Sequence, residues 1–227
     1  MPSFDIIKEN KADKSSFRVQ SVIGMFDLSS EHIQERFTGN IELPEEWNVG
    51  IIVGASGTGK STIMRELFND YVVENNKYNA QSVIDDMPKD KTVKEITQAF
   101  NSVGFSSPPS WLKPYAVLSN GEKMRVDLAN GILSNKDIIV FDEFTSVVNR
   151  EVAKIGSYAI QKAIRKQNKK FIAVSCHYDI IDWLEPDWVF CTDDMSFQRL
   201  KKKDQKLTFQ SMNVINHYGK CLENIII

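Results

Sequence analysis

The sequence predicts an α/β fold in which a mostly parallel sheet is covered by helices. Short apolar runs alternate along the chain with segments of helical spacing, a pattern typical of parallel strands joined by helical crossovers. Hydrophobic residues make up 42% of the 227, which is enough for a sizeable core. The runs expected to form buried strands are 50–53, 138–141, 171–174 and 188–190.

The N-terminal part is expected to add antiparallel strands to this fold. Residues 1–16 are polar, and we expect them to be flexible. The sequence FRVQSVIGMF at 17–26 alternates as a strand would, and RFTGNIEL within 32–43 offers a second strand region. Pro44 then turns the chain toward the first apolar run.

Helix signals lie between the apolar runs. Thr92 is a good N-cap with Glu95 three residues later, so we expect a helix at 93–103 that ends at Gly104. The serines and prolines of 106–110 predict a loop. Further helices are expected at 62–68, 121–133 and 151–167.

The composition excludes several classes of protein. Lys and Arg total 28 against 30 for Asp and Glu, so nothing in the charge balance demands nucleic acid or an acidic partner. The chain has three cysteines, Cys176, Cys191 and Cys221, and they lack CxxC spacing. We therefore expect them to be reduced thiols of a cytosolic protein. The N-terminus lacks the apolar core of a signal peptide, and no apolar run approaches the length of a membrane-spanning helix. We therefore expect a cytoplasmic chain that meets a membrane only through a partner subunit.

The stretch IIVGASGTGKST at 51–62 contains a phosphate-binding loop. It fills the pattern GxxxxGK[ST] between an apolar strand and a helical segment, which is the context that the motif requires. Lys60 is expected to reach the β- and γ-phosphates of ATP, and the hydroxyl of Ser61 to bind Mg²⁺. The residues expected to contact the nucleotide here are Gly54, Ala55, Ser56, Gly57, Thr58, Gly59, Lys60, Ser61 and Thr62. A glycine-rich turn without function is the structural alternative.

A second motif begins at Ile138, where four apolar residues are followed by two acids in the Walker B arrangement. Asp142 is expected on the Mg²⁺ side of the phosphate loop, and Glu143 is expected to polarise the attacking water. An edge strand that ends in solvated acids is the structural alternative. The phosphate loop upstream favours the functional interpretation.

A third motif, Leu-Ser-Asn-Gly-Glu at 118–122, lies one helix before Walker B. With this motif in this place, the chain resembles the ABC-class ATPases, whose signature is LSGGQ. Ser119 and Gly121 match that signature, whereas Asn120 and Glu122 depart from it. The resemblance implies a P-loop NTPase of ABC type with a short helical subdomain at about 82–130, inside a domain that spans 17–200.

The resemblance extends to four more positions. Asn149 takes the place of the aspartate that is usual in the D-loop, and His177 falls where the family has its switch histidine, after a buried strand. Gln81 is the candidate for the Q-loop glutamine, which would also serve the metal. Phe26 is the candidate for the aromatic residue that stacks on adenine, with Phe17 and Phe37 as rivals.

In this family two such domains pair head to tail and clamp each ATP between one phosphate loop and the partner's signature. The resemblance therefore implies an ATP-dependent homodimer in which Ser119 and Gly121 act on the nucleotide of the other copy. It also implies Mg²⁺-dependent hydrolysis of ATP, with Glu143 and His177 as the catalytic residues. A helix N-terminus that faces an anion suits this role.

Two classes of ABC protein remain open. Phe144 follows the catalytic glutamate where transporter subunits commonly carry proline, and only the 36 residues 82–117 separate Gln81 from Leu118. Both features favour a soluble ATPase that acts on a protein or nucleic-acid partner. The chain looks most like ATPases associated with GNAT-type acetyltransferases. The alternative is the ATP-binding subunit of a membrane transporter.

The C-terminal segment 201–227 is expected to be a tail outside the ATPase domain. Its basic residues, with Arg199 before them, offer a possible contact for nucleic acid, and a solvated charged segment is the alternative. The basic residues concerned are Lys201, Lys202, Lys203 and Lys206.

Overall fold

The computed structural model describes residues 3–9, 15–27, 34–73 and 78–200. These residues form a two-stranded antiparallel sheet and a five-stranded, mostly parallel sheet. The strands are β1 (Ser3–Glu9), β2 (Gln34–Asn40), β3 (Val49–Val53), β4 (Ile138–Phe141), β5 (Lys170–Ser175), β6 (Trp188–Cys191) and β7 (Ser196–Arg199). The α-helices are α1 (Phe17–Phe26), α2 (Lys60–Phe68), α3 (Val93–Ser102), α4 (Pro108–Trp111), α5 (Asn120–Leu133), α6 (Arg150–Gln167) and α7 (Ile180–Leu184).

The larger sheet has the strand order β4-β5-β3-β6-β7. Strand β3 lies at its centre and pairs in parallel with β5 and β6, while β7 is antiparallel at one edge. The predicted buried strands and the predicted α/β class are therefore confirmed. Because the carboxyl ends of parallel strands meet at one edge of the sheet, the loops after β3, β4, β5 and β6 converge there.

Apolar residues cover both faces of this sheet. Alternate side chains of β3 point to opposite faces, so Ile51 packs with α3, α5 and α6, and Ile52 packs with α2 and the small sheet. Both isoleucines are fully buried. Every residue of β3 is buried. This packing fixes the position in the sheet at which the strand ends and the phosphate loop begins.

The N-terminal strands differ from the prediction. Residues 3–9 form β1 and pair with β2, although we expected a flexible terminus and a strand at 17–26. Phe4 is buried at one end of this pair because it packs against Phe190 of the large sheet. The second predicted strand region does contain β2, so the antiparallel pair exists, but with β1 as the partner.

Helix α1 occupies the segment that we expected to be a strand. The apolar positions Val19, Val22, Ile23 and Phe26 also follow helical spacing, so the pattern was compatible with both structures. None of the residues of α1 is buried. A buried face therefore does not distinguish the two-residue period of a strand from the 3.6-residue period of a helix in this segment.

The segment after α3 also contains more helix than predicted. Thr92 and Glu95 form the expected capping box at the start of α3, which is confirmed. The predicted loop 106–110 instead overlaps α4, where two prolines stand in the first turn. Proline fits that turn because its missing N–H would have no intrahelical partner. Within the described ranges, no helix combines the length and the apolar character that crossing a membrane requires.

Candidate functional site

The phosphate-loop motif forms the turn between β3 and α2. Gly57 and Gly59 have φ values of 87° and 84°, a backbone conformation that residues with a Cβ rarely adopt. A Cβ on Gly59 would lie 2.5 Å from the ring of Phe37, so close packing also requires glycine there. The loop therefore has the shape that its sequence predicts, and it delivers the chain to the N-terminus of α2.

The loop is held from the side by the end of β6. The backbone N–H of Ala55 donates a 2.8 Å hydrogen bond to Asp193, and the hydroxyls of Thr58 and Thr192 lie 2.5 Å apart. A Cβ on Gly54 would lie 2.1 Å from the Thr192 hydroxyl oxygen. The position of the loop thus depends on residues about 135 positions further along the chain, which the motif itself does not include.

Lys60 is the cation of the loop. Its Nζ donates a 2.6 Å hydrogen bond to the carbonyl of Ala55. Burial lowers the pKa of Lys60, and the nearby carboxylates of Asp193, Asp142 and Glu143 oppose that shift. A partly desolvated ammonium interacts more strongly with an anion than one in bulk water.

Ser61 and Asp142 meet as the two motifs predict. The Ser61 hydroxyl donates a 3.0 Å hydrogen bond to Oδ1 of Asp142, so an oxygen from the start of α2 and an oxygen from the end of β4 lie side by side. Magnesium prefers oxygen ligands and commonly takes one or two from protein, with water and phosphate supplying the rest. Within the described ranges, no cluster of three or more His, Cys, Asp or Glu side chains is suited to a metal. A hydroxyl and a carboxylate, as in this pair, are oxygen ligands of the kind that suits Mg²⁺.

Glu143 follows Asp142 at the end of β4 in a left-handed conformation, with φ of 53°. Its N–H donates a 3.0 Å hydrogen bond to Oδ1 of Asp142. The next residue, Phe144, is fully buried, and its N–H donates a 2.8 Å hydrogen bond to the carbonyl of Val174. Proline has no N–H to donate, so the residue at 144 matters for how this turn is anchored to β5.

The motifs border one cavity of about 360 Å³ at the carboxyl edge of the sheet. Lys60, Ser61, Asp142 and Glu143 all line it, so the structure brings together the core of the predicted site. The other lining residues are Lys8, Glu35, Phe37, Ser56, Gly57, Gly59, Thr62, Ser146, Val174, Ser175 and Cys176.

His177 lies just beyond this cavity, on the loop after β5. The backbone N–H of His177 donates a 3.1 Å hydrogen bond to the hydroxyl of Ser175, and the ring Nδ1 is 3.8 Å from the sulfur of Cys176. Burial lowers the pKa of His177, and the nearby positive charge of Arg150 lowers it further. Both effects favour the neutral imidazole, which can accept a hydrogen bond.

The loop that carries His177 is also connected to the phosphate loop. The hydroxyl of Tyr178 hydrogen-bonds to Oδ2 of Asp193, and Oδ1 of the same carboxylate accepts the N–H of Ala55. One aspartate therefore joins the residue next to His177 to the backbone of the phosphate loop. This connection was absent from our sequence prediction, because only the tertiary structure brings the three segments together.

The signature residues lie at the start of α5. Ser119 is its N-cap and forms a capping box with Glu122, whose carboxylate accepts from the Ser119 N–H at 3.0 Å and hydroxyl at 2.8 Å. These hydrogen bonds from Ser119 lower the pKa of Glu122, and the bond from the backbone N–H has the larger effect. The glutamate that departs from the signature thus holds the serine in place. Neither Ser119 nor Gly121 lines the cavity.

The two asparagine departures also have structural partners. The Asn120 amide donates a 3.3 Å hydrogen bond to the carbonyl of Val147, which joins the signature to the predicted D-loop. Asn149 is the N-cap of α6, and its side-chain oxygen accepts the Val152 N–H at 2.9 Å. The methyl carbon Cγ1 of Val152 would lie 3.0 Å from a Cβ on Gly121, so the two helix starts are in contact.

Phe26 and Gln81 also lie outside the cavity lining, as do Gly54, Ala55 and Thr58 of the loop. Phe26 is at the end of α1 and is 67% exposed, whereas its rival Phe37 lines the cavity. Gln81 is exposed and does not line the cavity. Stacking of Phe26 on adenine and contact of Gln81 with the metal stay predictions. Lys8 and Glu35 line the cavity and were not predicted as site residues. Lys8 was missed because β1 itself was not predicted, whereas Glu35 lies in the predicted second strand region.

Comparisons with known proteins give relatives of two kinds. The chain is 28% identical over 187 residues to the mRNA export factor elf1 of Schizosaccharomyces pombe, covering 72% of this chain and 17% of that protein. It is 28% identical over 152 residues to a metal transport system ATP-binding protein of Thermotoga maritima, covering 57% of this chain and 62% of that protein. No protein-family model matches the chain.

Among solved structures, the chain resembles a dimeric ATP-binding cassette in a post-hydrolysis state bound to ADP and Pi. The TM-score is 0.60 at 13% identity, and the match covers 88% of this chain and 98% of that one. That structure is an ATP-binding cassette by name, and the Thermotoga maritima relative is named an ATP-binding protein. The fold of this chain is therefore that of an ABC-type P-loop NTPase. Neither relative is named for an acetyltransferase, so the GNAT association stays a prediction.

Proposed function

We propose that this chain binds ATP with Mg²⁺ and hydrolyses it to ADP and phosphate. The observation that carries this proposal is the convergence of Lys60, Ser61, Asp142 and Glu143 on one cavity beside a helix N-terminus. That set supplies a cation, two oxygen ligands and a carboxylate base, which are the groups that phosphoryl transfer to water requires.

Phosphate binding falls to the loop and to α2. The backbone N–H groups at the start of α2 carry the positive end of the helix dipole, which favours an anion. Lys60 is already turned into the loop by its hydrogen bond to Ala55, so it needs little reorganisation to exchange that carbonyl for phosphate oxygens. Its partial desolvation strengthens the interaction.

The metal is held by Ser61 and Asp142 in this proposal. Their hydrogen bond brings both oxygens to the same wall of the cavity. Bound Mg²⁺ would neutralise charge that develops on the phosphate oxygens.

Glu143 is the proposed general base. It lines the cavity, and its backbone is anchored on one side by Asp142 and on the other by the buried Phe144. The anchors hold the carboxylate at the end of β4, where it can orient a water molecule and accept its proton. His177, favoured as a neutral imidazole, is the proposed second hydrogen-bonding group.

The site is completed by a second copy of the chain in this proposal. Ser119 and Gly121 do not line the cavity of their own chain, and Ser119 begins a helix of 14 residues whose N-terminus suits an anion. The dimeric form of the similar ATP-binding cassette supports an ATP-dependent homodimer. Asn120 is hydrogen-bonded to Val147 and thus turned toward the D-loop, whereas Ser119 is exposed and its hydroxyl donates to Glu122 of the same helix start.

We further propose that the dimer acts in the cytoplasm on a protein or nucleic-acid partner. The likeness to an mRNA export factor and the N–H bond of Phe144, which the proline of transporter subunits cannot make, favour this class. The likeness to a metal transport ATP-binding protein favours the alternative, a transporter subunit that reaches the membrane through a partner.

Light scattering coupled to size-exclusion chromatography tests the proposal. The Glu143→Gln variant should be monomeric without nucleotide and dimeric with ATP and Mg²⁺, because hydrolysis no longer separates the copies. Adding Ser119→Arg should block the dimer while ATP still binds to the monomer, and Ser119→Thr, which keeps the hydroxyl and the cap, should preserve it. A Glu143→Gln protein that remains monomeric at saturating ATP would contradict the dimer.

A further inference from the structure

The antiparallel pair β1 and β2 lies against the phosphate loop through one of its faces. Residues directly opposite each other in an antiparallel pair share a face, and Ile6 is opposite Phe37 while Lys8 is opposite Glu35. Because the side-chain period of a strand is two, these four side chains lie on the same face. The face changes from apolar to charged between the first pair and the second.

The change occurs at the cavity. Phe37 is only 8% exposed because its ring packs against Gly59, whereas Lys8 and Glu35 are exposed and line the cavity. Two residues of strand correspond to about 7 Å, so the charged pair lies about that far beyond the contact with the phosphate loop. The charged pair therefore faces the part of the cavity that lies outside the phosphate loop.

The opposite face of the same strands has a different arrangement. Asp5 and Arg36 form an exposed ion pair at 2.6 Å and do not line the cavity. The two strands thus carry two charged pairs, one facing the cavity and one facing solvent.

We propose that Lys8 and Glu35 form the nucleoside subsite of the ATP site. A carboxylate repels phosphates, so Glu35 suits a neutral group that carries hydrogen-bond donors, such as the ribose hydroxyls or the exocyclic amine of adenine. Lys8, directly opposite, balances the negative charge that Glu35 places beside the triphosphate. This inference rests on the proposed function, because it assigns the remainder of the same nucleotide.

The sign of one affinity change tests the subsite. If Glu35 acted only through its charge, Glu35→Ala would strengthen the binding of ATP, because it removes a negative charge near a polyanion. If Glu35 accepts hydrogen bonds from the nucleoside, the same change should weaken ATP binding by about tenfold. Isothermal titration calorimetry with ATP and Mg²⁺ measures this directly.

Tripolyphosphate with Mg²⁺ is the matched probe, since it has the phosphates without the nucleoside. Glu35→Ala should leave its affinity unchanged or raise it, and Lys8→Ala, which removes only a positive charge near the phosphates, should weaken ATP and tripolyphosphate alike. Arg36→Ala on the outer face should change neither affinity. Matching thermal unfolding of all variants establishes that the pairing of β1 with β2 is intact.

Two analogues identify the group that Glu35 contacts. If the parent binds ATP more tightly than 2′,3′-dideoxyATP and Glu35→Ala binds the two equally, Glu35 contacts the ribose hydroxyls. If the preference for ATP over inosine triphosphate is lost instead, Glu35 contacts the adenine amine. Unchanged or stronger ATP binding by Glu35→Ala would overturn the subsite, as would equal losses for ATP and tripolyphosphate in that variant. Lys60→Ala separates this failure from that of the proposed function, because it should lose both ligands whether or not Glu35 contacts the nucleoside.

Discussion

The phosphate-loop end and the signature end of this chain are held in place by different interactions. At the phosphate loop, segments far apart in sequence pack closely, as Gly59 does against Phe37 and Ala55 does with Asp193. At the signature, the polar groups satisfy one another locally through the caps of Ser119 and Asn149. The phosphate-loop end therefore depends on the tertiary fold, whereas the signature end depends mainly on the starts of two helices.

The largest effect is expected at the phosphate loop. Lys60→Ala should weaken ATP binding by roughly a hundredfold or more, because the loop loses the cation that its motif places there. Calorimetric titration of ATP checks this, with Lys154→Ala on the exposed side of α6 as the control for loss of one lysine. Equal affinities for the two variants would remove Lys60 from the site.

Glu143→Gln should keep ATP bound and slow turnover by about 10²–10⁴-fold, the usual contribution of a general base. The substitution keeps the size of the side chain and the left-handed backbone at 143, so the anchors at Asp142 and Phe144 should persist. Phosphate release at saturating ATP is the measurement. Glu151→Gln, on the exposed first turn of α6, is the matched control and should hydrolyse at the parent rate.

The part of the site that sequence predicts well is the part enforced by short-range geometry. The spacing of Gly54, Gly59, Lys60 and Ser61 determines a turn into a helix, and the apolar run before Asp142 determines a strand end at the same edge. The Ser61–Asp142 contact then follows from parallel strands. Asp193 could not be predicted in this way, because nothing near it in sequence resembles a motif.

The errors in the fold have a related cause. The segment of α1 satisfies both a strand and a helix pattern, and no burial on one face decides between them. Because 17–26 was expected to be the first strand, no strand was predicted at 3–9, and Lys8 was therefore not considered as a site residue. The alternation of Phe4, Ile6 and Lys8 was the available signal, since it matches the face that packs on the large sheet.

A third substitution tests, through protein stability, how far tertiary packing holds the phosphate-loop end. Phe144→Ala should lower the free energy of unfolding by about 3–5 kcal/mol, as is usual when a buried phenylalanine is removed. The ring is fully buried and lies 5.8 Å from Phe141 and 5.6 Å from Phe171, edge to face in both contacts. Urea denaturation followed by circular dichroism gives the value. A loss below about 1 kcal/mol would mean that packing does not hold the Walker B end.

The smallest effect is expected at the caps of the signature end, and Asn149 offers the sharpest test. Its side-chain oxygen accepts the Val152 N–H at 2.9 Å, so Asn149→Ala should lower the free energy of unfolding by about 1 kcal/mol. Asn149→Asp restores the residue usual in the D-loop, and aspartate is an equally good N-cap that also suits the positive end of the helix dipole. That variant should therefore be as stable as the parent in the same urea titration. If Asn149→Ala proved as costly as Phe144→Ala, the signature end would depend on tertiary packing too, and the contrast between the two ends would fail.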